Sequence, residues 1–168
     1  MDGCSVPYIF DTNCFIEGWH RTYTLKIMPD YWKLLAEDIV SGHIISPSQV
    51  KEEIYKKDDD LKTWMKKRQI VPKLLQEEKQ QIENKVQEIL KNHPKILKRL
   101  GILEADPYVI ALAWLKNGTV VTAERDGKRS GDEHKIPAVC RELGVDCINP
   151  AQHIEGRGWR FVKSKICA

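Results

Sequence analysis

The chain has 168 residues, 42% of them hydrophobic, with a formal net charge of +3 and five cysteines. A chain of that length buries roughly 70% of its unfolded surface, so one self-sufficient globular domain over residues 1–168 is expected. The mild charge does not by itself mark a nucleic-acid binder. No apolar run reaches the ~18 residues of a membrane span and no basic flank leads into an apolar signal segment, so a soluble, cytoplasmic protein is expected.

The first element is an apolar strand, Tyr8 to Phe10, inside "VPYIFDTNCFI". It runs straight into Asp11, Thr12 and Asn13. Such residues cap helices well, but in open α/β sheets ligands also bind beyond the carboxyl ends of strands. Next, Tyr31, Leu34, Leu35, Ile39 and Val40 recur at helical spacing, and Gly42 is placed to end that helix. "HIISPSQVKEEIYKK" gives a short strand, His43 to Ser46, and then a helix capped by Ser46 or Ser48, with Val50 and Ile54 toward the core.

Residues 58–100 form a more polar, helical insertion. Leu75, Ile82, Val86, Ile89, Leu90, Ile96 and Leu97 suggest amphipathic helices broken near Pro72 and Pro94. Between Lys51 and Leu100 stand 14 Lys/Arg against 9 Asp/Glu. This is either a solvated helical surface with ordinary charge pairs or a surface that tracks a phosphate backbone. "ADPYVIALAWLKNG" is an apolar helix ended by Gly118, "TVVT" a buried strand, "GKRSGDEHK" a polar loop, "IPAVCRELG" a helix with a glycine stop, and "VDCIN" a last strand. Strands alternating with helices predict a parallel sheet covered on both faces.

In that layout Asp11, Glu53, Asp106, Glu124 and Asp126 all fall at one edge of the sheet. Clustered carboxylates resist joint ionisation unless cations neutralise them, and Mg²⁺ or Mn²⁺ favour such hard oxygen ligands. Each acid also has an ordinary explanation. Asp11 and Asp106 stand at helix starts, Glu53 in a charged run, and Glu124 and Asp126 in a charged loop. Only their shared placement argues for a site.

The cysteines, Cys4, Cys14, Cys140, Cys147 and Cys167, are odd in number and irregularly spaced. They fit neither a disulfide framework nor a paired CxxC zinc site, and Cys140 and Cys147 read as small buried hydrophobes. The five histidines are scattered without a zinc pattern. Trp19, Trp64, Trp159 and Phe161 are either base-stacking platforms or structural aromatics.

From residue 8 to about 149 the order of motifs resembles the PIN-domain nucleases. "IFDTN" is similar to that family's first-strand motif. "VKEEI" resembles its V-x-x-E-hydrophobic helix, which places the second acid at Glu53 rather than Glu52. "DPYVIALA" resembles its D-x-x-hydrophobic-A-x-A helix, with Asp106 as the third acid. "VVTAERD" resembles its strand motif, with Thr122 as a supporting hydroxyl and Glu124 fourth. The family commonly has Asp at that fourth position, so Asp126 stays beside Glu124 as a candidate. The segment "IPAVCRELGVDC" and the "GWRF" at 158–161 resemble one subgroup's C-termini.

The resemblance implies a three-layer α/β/α fold and a Mg²⁺- or Mn²⁺-dependent endoribonuclease, the toxin of a toxin–antitoxin pair held by a small antitoxin protein. Asp11, Glu53, Asp106 and Glu124 would be catalytic. Asp11, Asp106 and Glu124 or Asp126 would be metal ligands, supported by Thr12, Asn13 and Thr122. Lys128 and Arg129 are candidates for contact with RNA phosphates, and the likeness allows a homodimer. The competing reading is a non-catalytic PIN-like module that binds RNA or protein.

Overall fold

The computed structural model describes residues 6–96, 104–125 and 134–162. Its centre is a four-stranded sheet of β1 (Tyr8–Phe10), β2 (Ile44–Ile45), β3 (Thr119–Val121) and β4 (Cys147–Ile148), in the order β2-β1-β3-β4. All three pairings are parallel, with Tyr8 opposite both Ile44 and Thr119, and Val121 opposite Ile148. Ile9, Phe10, Val120 and Val121 are fully buried, the near-continuous apolar signature of strands covered on both faces. The expected α/β architecture, a parallel sheet flanked by helices, is what the chain adopts.

Between β1 and β2 come α1 (Thr12–Glu17), which continues as a π-helical turn Gly18–Thr22, and α2 (Pro29–Val40). The sequence reading did not separate α1 from its cap. In α2 the buried stripe is Tyr31, Trp32, Leu35 and Ile39, while Val40, one of the apolar residues at helical spacing, is 82% exposed. Asp38 is buried with that stripe, and its carboxylate receives two 2.7 Å bonds from the Arg157 guanidinium.

Between β2 and β3 come α3 (Ser48–Tyr55), α4 (Asp60–Lys66), α5 (Gln76–Asn92) and α6 (Ala105–Lys116). The insertion is therefore helical as expected, and α5 packs along α6. That explains why α6 is apolar almost all round: every residue from Ala105 to Ala113 is buried between the sheet and α5. The end of α6 differs from expectation. The left-handed position is Asn117, at φ +49°. Gly118 serves close approach instead, since a Cβ there would lie 2.3 Å from Ile9 Cδ1 and 2.7 Å from the Pro7 carbonyl oxygen.

Then α7 (Ile136–Leu143), closed by Gly144 at φ +67°, leads to β4, and α8 (Pro150–Gly156) follows. A reciprocal pair of bonds between Asn149 and Gln152 starts α8, with Pro150 in its first turn. Helices α2 and α8 share the face of Tyr8 and Phe10. There His153 packs edge-on against both rings, at 4.6 and 4.9 Å, and against Trp159 at 5.1 Å. Helices α3, α6 and α7 pack together on the other side, as right-handed crossovers in opposite directions require. No helix among the described residues is long and apolar enough to cross a membrane.

Candidate functional site

The strand order puts the switch of winding direction between β1 and β3. From β1 the chain moves outward to β2 on one side, and from β3 to β4 on the other. A crevice opens at such a point, just beyond the carboxyl ends of the two strands. Asp11 follows β1 and Thr122 follows β3, and they meet there: the Thr122 hydroxyl donates to Asp11 Oδ2 at 2.9 Å. Both are buried. Asp11 does occupy the N-cap position of α1, but its carboxylate makes no capping bond to that helix. The side chain is turned across the sheet instead.

The other acids join this centre through helix N-termini. A helix that runs antiparallel to the strands starts at their carboxyl edge, so α6 and α7 both present their first amides there. Glu53, on α3, accepts from the Thr12 hydroxyl at 2.5 Å with one oxygen and from the Ala105 amide at 2.9 Å with the other. Ala105 is the first residue of α6, and Asp106, 6% exposed, is the second. Glu124 does the same for α7, its Oε2 accepting from the Ile136 amide at 3.0 Å, while its own amide donates to the Thr122 hydroxyl at 3.1 Å. Unpaired helix amides carry partial positive charge, so a carboxylate at each start is well placed. One chain of bonds thus runs from Glu124 through Thr122 to Asp11, and from neighbouring Thr12 through Glu53 to the start of α6.

The structure therefore brings Asp11, Thr12, Glu53, Asp106, Thr122 and Glu124 to one edge and divides their roles. Glu53 has both oxygens engaged by donors of the chain itself, which makes it a clamp between α1, α3 and α6. Asp11 and Asp106 are the buried carboxylates. Asp126, Lys128 and Arg129 lie outside the described residues. A further contributor has little signal in the sequence. Ser46, weighed there only as a helix cap, is fully buried and donates to the Phe10 carbonyl at 2.7 Å, fixing the peptide that precedes Asp11. Its only sequence signal was a hydroxyl directly after a strand.

Beside this network lies a cleft of about 1330 Å³ beyond the ends of β3 and β4, lined by Asn13, Thr122, Glu124, Arg125, Arg141 and Gln152 among others. Of the described candidate acids Glu124 belongs to its wall, as do Glu17 and Asp146, while Asp11, Glu53 and Asp106 do not. The tryptophans weighed as stacking platforms sit half-buried in aromatic clusters. Trp19 packs against Trp32 and Trp64, and Trp159 against His153 and Tyr31.

The donor chemistry of Asp11 and Asp106, hard oxygens held at a strand end and a helix start, fits a small divalent cation. Among the described residues, however, no three of His, Cys, Asp and Glu gather in a way that could hold a metal ion. Residues 8–161 match the sequence model of a family described as a domain of unknown function, DUF4411, and the chain belongs to that family. No curated protein matches the chain.

Proposed function

We propose that this DUF4411 protein is a metal-dependent ribonuclease of PIN-like type, acting in the cytoplasm as the toxin of a toxin–antitoxin pair. The observation that supports this most is the meeting of Asp11 and Thr122 at the switch of the sheet, with Asp106 tied to the same edge through Thr12 and Glu53. Carboxylate oxygens gathered at one strand edge are the hard donors that a small divalent cation favours.

In this reading Asp11 and Asp106 hold Mg²⁺ or Mn²⁺, with Glu124 or Asp126 completing the set. The ion, when bound, would polarise the scissile phosphate and make a bound water acidic enough to attack it. Thr122 fixes the rotamer of Asp11. Glu53 holds the first turn of α6, and so Asp106, against α1. The neighbouring cleft gives an RNA strand a path along Arg125 and Arg141, with Lys128 and Arg129 as further candidates for phosphate contact on the sequence alone. A small antitoxin protein would restrain the activity.

A second reading, a PIN-like module that binds RNA or protein without cutting, is favoured by one finding: oxygens of Glu53 and Glu124 are already engaged by helix amides. Cleavage of a mixed RNA pool with Mg²⁺ or Mn²⁺ separates the two. Activity should disappear with EDTA, and in Asp11→Asn and Asp106→Asn proteins that keep wild-type circular dichroism. Folded, inhibitor-free protein that cuts nothing, and whose melting temperature ignores Mn²⁺, would give the second reading the lead.

A further inference from the structure

The outer face of α2 carries Pro29, Lys33, Ala36 and Val40 in one row at helical spacing. Together with Leu25, and with Trp64 of α4, they line a groove of about 670 Å³. Trp32 and Trp64, packed edge-on with ring centres 5.1 Å apart, join the two helices at its base. Arg68 is held in place there: its guanidinium lies 3.8 Å over the Trp64 ring and donates to the Trp64 carbonyl. The rim is charged and one-sided. Lys33, Lys67 and Arg68 line the groove against one acid, Glu37. Among the described residues no carboxylate pairs with any of these three cations. An apolar centre inside a charged rim is the anatomy of a protein interface.

We propose that this groove is a docking site for an acidic amphipathic segment of a partner protein. Aliphatic side chains of that segment fill the groove among Leu25, Ala36 and Val40, and its carboxylates meet Lys33, Lys67 and Arg68 at the rim. The site stands apart from the nuclease reading, since the groove shares no lining residue with the cleft beyond β3 and β4.

The chemistry of the wall selects the occupant. RNA would also answer the cations, but unpaired bases bind by stacking on open rings. Here Trp32 is buried and the Arg68 guanidinium covers a face of Trp64, so the groove presents mainly aliphatic carbons. A second copy of the chain fits poorly for another reason. In a two-fold dimer the same patch meets itself, which would set the cations of one rim against those of the other. An acidic segment satisfies both the carbons and the charge. It also accounts for Val40, an aliphatic side chain that the fold itself leaves in water.

The test pans the full chain against a phage-displayed library of random peptides, then titrates the enriched peptides, synthesised with a fluorescein label, by anisotropy. They should set Asp and Glu beside aliphatic residues at helical spacing. Val40→Glu, at an exposed position that leaves the core intact, should weaken binding by about tenfold or more. A Lys33→Glu, Lys67→Glu double variant should weaken it by about tenfold, most at low salt, and a peptide with Lys in place of its acids should recover binding to that variant. Both variants are compared as proteins with wild-type circular dichroism. The proposal falls if no peptide is enriched, or if the enriched peptides are basic or bind Val40→Glu equally. It falls too if single-stranded RNA displaces them, or if light scattering shows a dimer that Val40→Glu dissolves, which would assign the groove to a second copy.

Discussion

Replacing Glu53 by glutamine, in protein freed of divalent ions, separates a clamp from a ligand by the sign of its effect. As a clamp, the carboxylate makes two charge-assisted bonds, to the Thr12 hydroxyl and to the Ala105 amide. A glutamine can keep its oxygen on Ala105 and turn its amide toward Thr12, so the shape survives and the charge is lost. Charge-assisted bonds contribute about 1.5–3 kcal/mol and neutral ones about 0.5–1.5 kcal/mol, so each bond weakens by about 1 kcal/mol. Lost attraction to the start of α6 adds about 0.3–1 kcal/mol, and partial exposure of Glu53 trims the total to about 2 kcal/mol. For a chain of this size that lowers the melting temperature by about 4–8 °C.

If Glu53 were chiefly one more repelling acid around an empty cation position, its neutralisation would instead stabilise the ion-free protein. Thermal and urea unfolding in EDTA, followed by far-ultraviolet circular dichroism, decides between them. A Thr12→Val partner variant completes a double-mutant cycle, in which a coupling near 1 kcal/mol is expected from the shared bond. A melting temperature that is unchanged or raised in Glu53→Gln would refute the clamp.

Acid should unfold the protein through His153. Burial holds its pKa down at about 4, with Asp38 pulling it up and Arg157 pushing it down, whereas the unfolded chain titrates near 6.5. The unfolded state therefore binds the extra proton between these values, and stability is lost as pH falls from 6.5; between pH 6.5 and 5 the loss is about 2 kcal/mol. Urea midpoints across that range should show the slope, and a His153→Phe variant should flatten it; an equal slope in the variant would contradict the assignment. Gly118→Ala should cost about 1–3 kcal/mol, because the new methyl meets the Pro7 carbonyl as well as Ile9. The Pro7 carbonyl is itself bonded to the Thr119 amide at 3.0 Å and cannot retreat without loosening the β1–β3 pair. A melting temperature equal to wild type would show that the strands shift freely.

Much of the fold was legible because it is local. Apolar runs bounded by turn residues marked β1, β3 and β4, helical periodicity marked α2, and Gly144 marked the end of α7. The edge on which Asp11, Glu53, Asp106 and Glu124 gather followed from alternation of strand and helix, since a parallel sheet puts all strand ends and intervening helix starts on one side. Other features had no local signal. Val40 fits an apolar stripe as well as its neighbours do, yet it faces outward while Asp38 turns inward to meet Arg157, 119 positions further on. The Asn149–Gln152 pair that begins α8 was readable as a capping pattern, but no apolar periodicity drew attention to so short a helix.

The sequence by itself determined the class of fold, the edge at which the acids stand and the uniform burial of α6, because composition and period act within one element at a time. Only the tertiary structure decided what each acid does there. Whether a carboxylate clamps a helix start, as Glu53 and Glu124 do, or sits buried at the switch between β1 and β3, as Asp11 does, depends on which donors other elements bring within 3 Å. At this edge such bonds join residues as many as 111 positions apart, and no pattern along the chain encodes them.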